Sequence, residues 1–405
     1  MPRQNNDCVH APHVLVYNQH MKKFRLGLVG RIILAMVAGI LLGGLLPTEI
    51  VRGFATFNSI FSQFLGFIIP LLIVGLVAPA IADIGKKAGK MLLATTALAY
   101  LATLISGFAS YFTSITCFPG LIESGSLMQT LNQANDAAPY FTIEMPPLMG
   151  VMTALVLAFI LGLGMAYLSG DALHSVFKDF REIIYRTIGT VIIPLLPLFI
   201  FGIALNMAYS GQAASILSVF IKIIGVIFAL HIAVLIFQYC IAGLITRRNP
   251  MPLLGRMLPA YFTALGTQSS AATIPVTLRQ TIANGVNSDV AGFVIPLCAT
   301  IHLSGSTLKI VACAIAIMMM QGTPVEFPQL AGFILMLGVV MVAAPGVPGG
   351  AIMAALGVLH SMLGFGSNEQ ALMIALYITM DNFGTACNVT GDGAIALIIN
   401  NFYKA

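Results

Sequence analysis

Long, nearly unbroken apolar runs occupy the chain as far as Arg248, at 26–47, 54–83, 91–116, 148–168, 183–209 and 215–246. A helix needs about 20 apolar residues to cross a bilayer's hydrocarbon core, and each run meets that length. The first run follows Lys22-Lys23-Phe24-Arg25 and has Arg31 near its start. It is too long for a signal-peptide core, and no small-residue cleavage pattern follows it. It is therefore expected to be the first of six spanning helices in this half.

Beyond Arg248 the pattern changes. Segment 250–280 carries Pro250, Pro252, Pro259 and Pro275 around a small polar centre, Gly266-Thr267-Gln268-Ser269-Ser270-Ala271-Ala272-Thr273. Its apolar arms are about 12 residues each, too short to span. Segment 329–361 has the same layout around Ala343-Ala344-Pro345-Gly346-Val347-Pro348-Gly349-Gly350. Each is predicted to be a re-entrant helical hairpin, whose irregular tip is tolerated at membrane depth only where it lines a cavity. Each is followed by an apolar segment broken by polar residues. The first is 290–320, with His302, Ser304, Gly305, Ser306 and Lys309; the second is 371–399, with Asp381, Asn382, Asn388 and Asp392. A hairpin and a broken helix, twice over, form the repeat expected of a secondary transporter.

Composition agrees: 58% of the 405 residues are hydrophobic and only 8% charged, which excludes an ordinary soluble domain. Lys and Arg set the orientation. They cluster before and at the start of the first run (Arg3, Lys22, Lys23, Arg25, Arg31), between runs two and three (Lys86, Lys87, Lys90), between runs four and five and at the start of run five (Lys178, Arg181, Arg186), and after run six (Arg247, Arg248, Arg256). The loop 117–147 holds only acids, and 208–214 has no charge. The N-terminus is thus expected in the cytoplasm, and the net charge of +5 reflects topology rather than nucleic-acid binding. The six cysteines are scattered, with neither metal-site nor disulfide spacing.

Asp381 and Asp392 carry the chemistry. A carboxylate at membrane depth costs several kcal/mol unless it meets a cavity, a partner or a cation. The stretch from Asp381 to Asp392 is therefore expected to line a site for a polar, partly cationic cargo. An intramembrane aspartyl protease is excluded by spacing: the two acids lie 11 positions apart on one segment, roughly 16 Å along a helix, too far to share a proton. No filter-like carbonyl repeat or acid ring of a channel is present.

Four stretches in order resemble the dicarboxylate/amino-acid:cation symporter family, to which the glutamate transporters belong. They are Thr267-Gln268-Ser269-Ser270-Ala271-Ala272-Thr273-Ile274-Pro275-Val276, Ile295 to Ser306, Gly346-Val347-Pro348-Gly349, and Asn388-Val389-Thr390-Gly391-Asp392. The resemblance implies an all-α polytopic membrane protein with eight transmembrane helices plus two re-entrant helical hairpins, in inverted repeats, assembled as a homotrimer. It divides the chain into a cytoplasmic tail (1–24), scaffold helices 1–2 (25–90), transport-domain helix 3 (91–117), scaffold helices 4–5 (118–210), transport-domain helix 6 (211–249), hairpin 1 (250–281), helix 7 (288–320), hairpin 2 (329–361) and helix 8 (367–401). The transport domain is expected to slide against the scaffold, with the second hairpin as extracellular gate.

The same resemblance implies roles. Asp381 would receive a substrate ammonium, Asn388 the substrate carboxylate, and Thr385 would touch the substrate. Gln268, Ser269 and Ser270 at the first tip would cradle the α-carboxylate, and Gly346, Val347, Pro348 and Gly349 would form the second tip. Asp392, with the Asn388 carbonyl, would hold sodium. Departures matter more. Gly384 stands where acidic-substrate members carry Arg, Gln268 takes the place of a second arginine, and segment 371–399 contains no arginine. A neutral substrate follows, with Gly384 leaving room for its side chain. His302 and Ser304 replace the Asn and Asp of the seventh-helix sodium motif, and Thr95-Thr96 stand for a Thr-Ser pair. One sodium site is thus expected to be weakened, and that at Asp392 altered. Lys309, seven residues after His302, is expected on the same helical face. Lys309 is either a tethered charge in place of sodium, paired with Asp392, or a proton-coupling group, a role equally open to His302; the plainer alternatives are a lysine that snorkels to an interface and a hydrogen-bonded packing histidine.

The expected function is cation-coupled import of a small neutral amino acid, or a similar zwitterion, by an elevator-type mechanism. Sodium, or protons partly in its place, would be the coupling ion. The expected location is a bacterial-type cytoplasmic (inner) membrane, among lipids, without covalent chemistry or nucleic acid. The alternatives are an acidic amino acid or dicarboxylate symporter, and a transport-inactive binding or sensor homologue.

Overall fold

The computed structural model describes residues 28–86, 90–122, 137–211, 213–342, 344 and 349–403. Among these residues there is no strand. The helices are α1 (Leu28–Gly43), α2 (Thr48–Lys86), α3 (Lys90–Cys117), α4 (Val151–Tyr167), α5 (Ala172–Thr187), α6 (Ile193–Tyr209), α7 (Ala213–Thr246), α8 (Pro250–Thr267), α9 (Ser270–Ala283), α10 (Ser288–Ile301), α11 (Ser304–Gln321), α12 (Phe327–Val342), α13 (Gly350–Leu363), α14 (Ser367–Thr379) and α15 (Asp381–Tyr403).

Among the described residues five helical stretches are long and apolar enough to cross a membrane: Thr48–Asp83, Lys90–Gly120, Ala172–Tyr209, Val219–Thr246 and Ser288–Gln321. Gly30–Gly43 and Val156–Tyr167 are apolar but shorter. Leu41, Ile160, Ile221, Leu244 and Phe262 stand exposed on outer faces.

One difference from the sequence reading concerns the charged connection before run five. It is not a loop but the amphipathic helix α5, which runs through a single π turn at Ile188–Ile192 into α6. His174 and Ile184 are buried, while Lys178 and Arg186 are exposed. Asp83, near the end of α2, fixes it by pairing with His174 Nε2 at 2.9 Å and Arg181 at 3.2 Å. The period-3.6 pattern of 172–187 was hidden by its charge count.

The chain reverses sharply between α8 and α9, which pack on one another. Gln268 makes the reversal in the left-handed region, with φ of 55° and ψ of 23°. Ser269 then caps α9 by accepting the Ala272 N–H at 3.3 Å. At the opposite end Asn249 accepts the Met251 N–H, Pro250 takes the first helical turn, where its missing N–H costs nothing, and Arg248 donates to the Asn284 carbonyl. α12 and α13 also pack together. Gly346, Val347 and Pro348, between them, lie outside the described residues, as does the tail 1–24.

The interior has two main apolar clusters. The larger joins α2, α3 and α11 to α14; the smaller joins α7, α8, α10 and α15. α11 is buried from Ser304 to Met318, and α15 from Gly384 to Asn400. These two helices, the most enclosed and the most polar at their starts, build the site.

Candidate functional site: two interrupted helices

α10 ends at Ile301, and His302 is extended, with φ of −103° and ψ of 97°. α11 begins at Ser304 with Leu303 before it, which has no side chain able to cap. The cap comes from another helix: Asn388 Oδ1 accepts the Gly305 N–H at 2.8 Å. That satisfies one of the N–H groups every helix start leaves open. The Asn388 amide also donates to Ser306 Oγ at 3.2 Å, and Tyr377 donates its hydroxyl to the same oxygen at 3.0 Å. The close crossing rests on glycine. A Cβ on Gly305 would lie 2.6 Å from the Gly384 carbonyl oxygen and 2.7 Å from Cys387 Cβ.

The second interruption falls at Met380, between α14 and α15. Asp381 opens α15 and holds two partners. One carboxylate oxygen takes the Lys309 ammonium at 2.8 Å; the other accepts the Gly349 N–H at 2.8 Å, at the start of α13. The Lys309 ammonium also lies 3.5 Å from the Tyr377 and Met380 carbonyls, at the negative end of α14, and 3.5 Å from the Tyr377 ring centre. Lys309 is wholly buried, so it does not snorkel to an interface.

Three expectations are corrected here. Lys309 pairs with Asp381, not Asp392. Lys309 and His302 do not share a face, because the chain leaves the helix between them, and His302 Nδ1 instead meets Asp392 Oδ1 at 2.8 Å. The space over Gly384 is not free for a substrate side chain: a Cβ there would sit 2.7 Å from Lys309 Nζ.

Asp392 Oδ2, His302 Nε2, Gln238 Oε1 and Thr390 Oγ1 are buried without a hydrogen-bond partner, as is Thr96 Oγ1 of α3. Such orphaned groups are rare and call for an ion or water. Gln238 Oε1 and the His302 ring both border Gly391, the residue between Thr390 and Asp392. A carboxylate, an amide and a hydroxyl oxygen are hard donors, and they fit a small alkali cation better than a soft metal. His302 brings a ring nitrogen to this oxygen set. Ser304 points elsewhere, accepting from the Gln238 amide at 3.3 Å.

The remaining candidates fall nearby. α8 packs through Tyr261, Ala264 and Leu265 against Ala386 and Val389. This lays the arm that leads to Gln268, Ser269 and Ser270 along the α15 turn carrying Thr385 and Asn388. Thr385 is buried, and so is Ser270. Sequence reasoning missed the support from α7. His231 lies between the Ile227 and Gly305 carbonyls at 2.9 and 3.1 Å, Gln238 reaches Ser304, and Tyr239 donates to the Thr390 carbonyl at 2.8 Å. His231 and Gln238 are seven residues apart in an apolar span, two turns along one face. That spacing was the available signal.

The model of the sodium:dicarboxylate symporter family matches residues 28–402. Among relatives, the serine/threonine transporter SstT of Acinetobacter baumannii (strain ATCC 17978) is 28% identical over 389 residues, covering 91% of this chain and 95% of the relative. Excitatory amino acid transporter 1 is 29% identical in Bos taurus and 28% in Homo sapiens over 294 residues, covering 69% of this chain. Those matches span about half the transporters' own length, 53%. Transport across a membrane by a multi-pass protein, without enzymatic chemistry, is what this family does. With its two interrupted helices, its buried acids and a family match along nearly the whole described fold, the chain belongs to the sodium:dicarboxylate symporter family.

Proposed function

We propose that this protein imports a small neutral amino acid together with a cation. The observation that carries this reading is Gly384. No guanidinium stands there to bind a side-chain carboxylate, and Lys309, which fills the space, is already neutralised by Asp381. The end-to-end match to a transporter named for serine and threonine supports it. On this reading Asp381 takes the substrate ammonium, Asn388, Thr385 and the tip at Gln268, Ser269 and Ser270 take its carboxylate, and the second tip, Gly346 to Gly349, covers it. Sodium, the family's coupling ion, takes the oxygens around Asp392, with His302 altering that site. The protein works as a homotrimer in a bacterial-type inner membrane, its transport domain sliding against a scaffold.

The test is thermal stabilisation of the purified protein by a panel of amino acids and dicarboxylates, in sodium or in choline. A ligand that binds only the folded state raises the midpoint by mass action. A midpoint raised by one neutral amino acid, in wild type but not in Asp381→Asn, supports the reading. Stabilisation by aspartate or succinate alone overturns it.

One observation favours a second reading. Because Lys309 already sits on Asp381, a carboxylate without an amine would fit the site with Lys309 unmoved. Lactate or succinate would then stabilise the protein and serine would not.

A further inference from the structure

Lys309 is a buried cation that no covalent chemistry requires, and its surroundings define what it does. Its ammonium occupies one oxygen of Asp381, the position that an incoming ammonium would need under the function proposed above. The other oxygen is held by the Gly349 N–H at the start of α13. The same carboxylate therefore joins α11, α13 and α15. The ammonium also has somewhere to go. The Tyr377 and Met380 carbonyls and the face of the Tyr377 ring are each 3.5 Å from it. The negative end of a helix and an aromatic face both stabilise a cation.

We propose that Lys309 is a tethered counter-cation. When substrate arrives, its ammonium displaces that of Lys309 from Asp381, and Lys309 shifts onto the α14 carbonyls and the Tyr377 ring. When substrate leaves, Lys309 returns, neutralises Asp381 and holds the carboxylate where the Gly349 N–H can close on it. An empty carrier would otherwise have to recross the membrane with a bare buried carboxylate, a state strongly disfavoured at low dielectric. Lys309 thus serves the return of the empty protein, and it does so without a second diffusible ion. The inference rests on the amino-acid reading and extends it to the half of the cycle in which no substrate is bound.

The test separates the two half-cycles. Wild type and Lys309→Met are reconstituted in liposomes. Counterflow of labelled L-serine against trapped L-serine needs only the loaded carrier; net uptake into serine-free vesicles under a sodium gradient also needs the empty carrier to return. Loss of the counter-cation is expected to lower the ratio of net uptake to counterflow about tenfold or more, a shift of one decade in a two-state balance. An unchanged ratio overturns the proposal. So does loss of both activities in a monodisperse variant, because Lys309 would then be needed for loading itself. Lys309→Gln, which keeps a hydrogen-bond donor for Asp381 without its charge, is read in the same way where the Met variant does not fold. If wild type shows no counterflow with serine, alanine or threonine, the amino-acid reading fails and takes the exchange of ammonium groups with it. That failure appears in the wild type and cannot be confused with a result seen only in the variants.

Discussion

Asn388 caps a helix to which it does not belong: its side-chain oxygen accepts the Gly305 N–H at 2.8 Å, across 83 positions of chain. The fold of α11 therefore depends on α15. Replacing Asn388 by Ala leaves the start of α11 uncapped and is expected to cost about 1–2 kcal/mol, the usual worth of such a cap. Asn388→Asp keeps an acceptor but loses the amide that donates to Ser306 and buries a new carboxylate, so it is not expected to recover that stability. Melting midpoints in detergent, without substrate, give the comparison. Equal midpoints for wild type and Asn388→Ala would show that the bond contributes nothing.

Gly384 and Lys309 compete for one volume. Gly384→Ala must displace the end of the Lys309 side chain, and overpacking of this kind costs about 1–3 kcal/mol. Gly384→Arg adds a like charge and is expected to be worse. The pair Gly384→Arg/Lys309→Met relieves both conflicts. It should melt higher than Gly384→Arg alone and, on the neutral-substrate proposal, bind aspartate more tightly relative to a neutral amino acid. Competition binding measures the second effect; an unchanged ratio counts against Gly384 as the specificity position.

The orphaned Asp392 oxygen calls for a cation. Stabilisation of wild type on replacing choline by sodium is expected to disappear in Asp392→Asn, while stabilisation of Asn388→Asp by sodium should survive in part. Differential scanning fluorimetry across a sodium titration reads both. A sodium response left intact in Asp392→Asn would place the ion elsewhere.

Tyr239 is fully buried and gives one hydrogen bond, to the Thr390 carbonyl. Tyr239→Phe removes the hydroxyl and leaves that carbonyl with its helical bond alone. The expected loss is about 1 kcal/mol, seen as a lower midpoint with little change in sodium response. A larger fall confined to sodium buffer would show that the tyrosine acts through the cation site.

The general plan was legible because bilayers leave few options. Spans follow from length and apolarity, and Pro and Gly clusters at membrane depth mark interruptions. The breaks at His302 and near Asp381 were readable for that reason. Pairing was not. Lys309 has two acids within reach along the sequence, and only the departure from helix at His302–Leu303 turns it toward Asp381 and leaves Asp392 to His302. A spacing rule assumes an unbroken helix, and it fails where the helix is interrupted. The support from α7 was overlooked for a related reason: His231 and Gln238 look like isolated polar residues until α11 and α15 are placed against them.

The crossing of α11 and α15 also has a mechanical meaning. Gly305 lies against the backbone of Gly384 with no space for a methyl group between them, and Asn388 ties the two chains one turn further on. A joint this tight acts as a rivet. One helix could slide past the other only by breaking this contact, so a displacement of one would carry the other with it and keep the spacing of Asp381, Asn388 and Ser306.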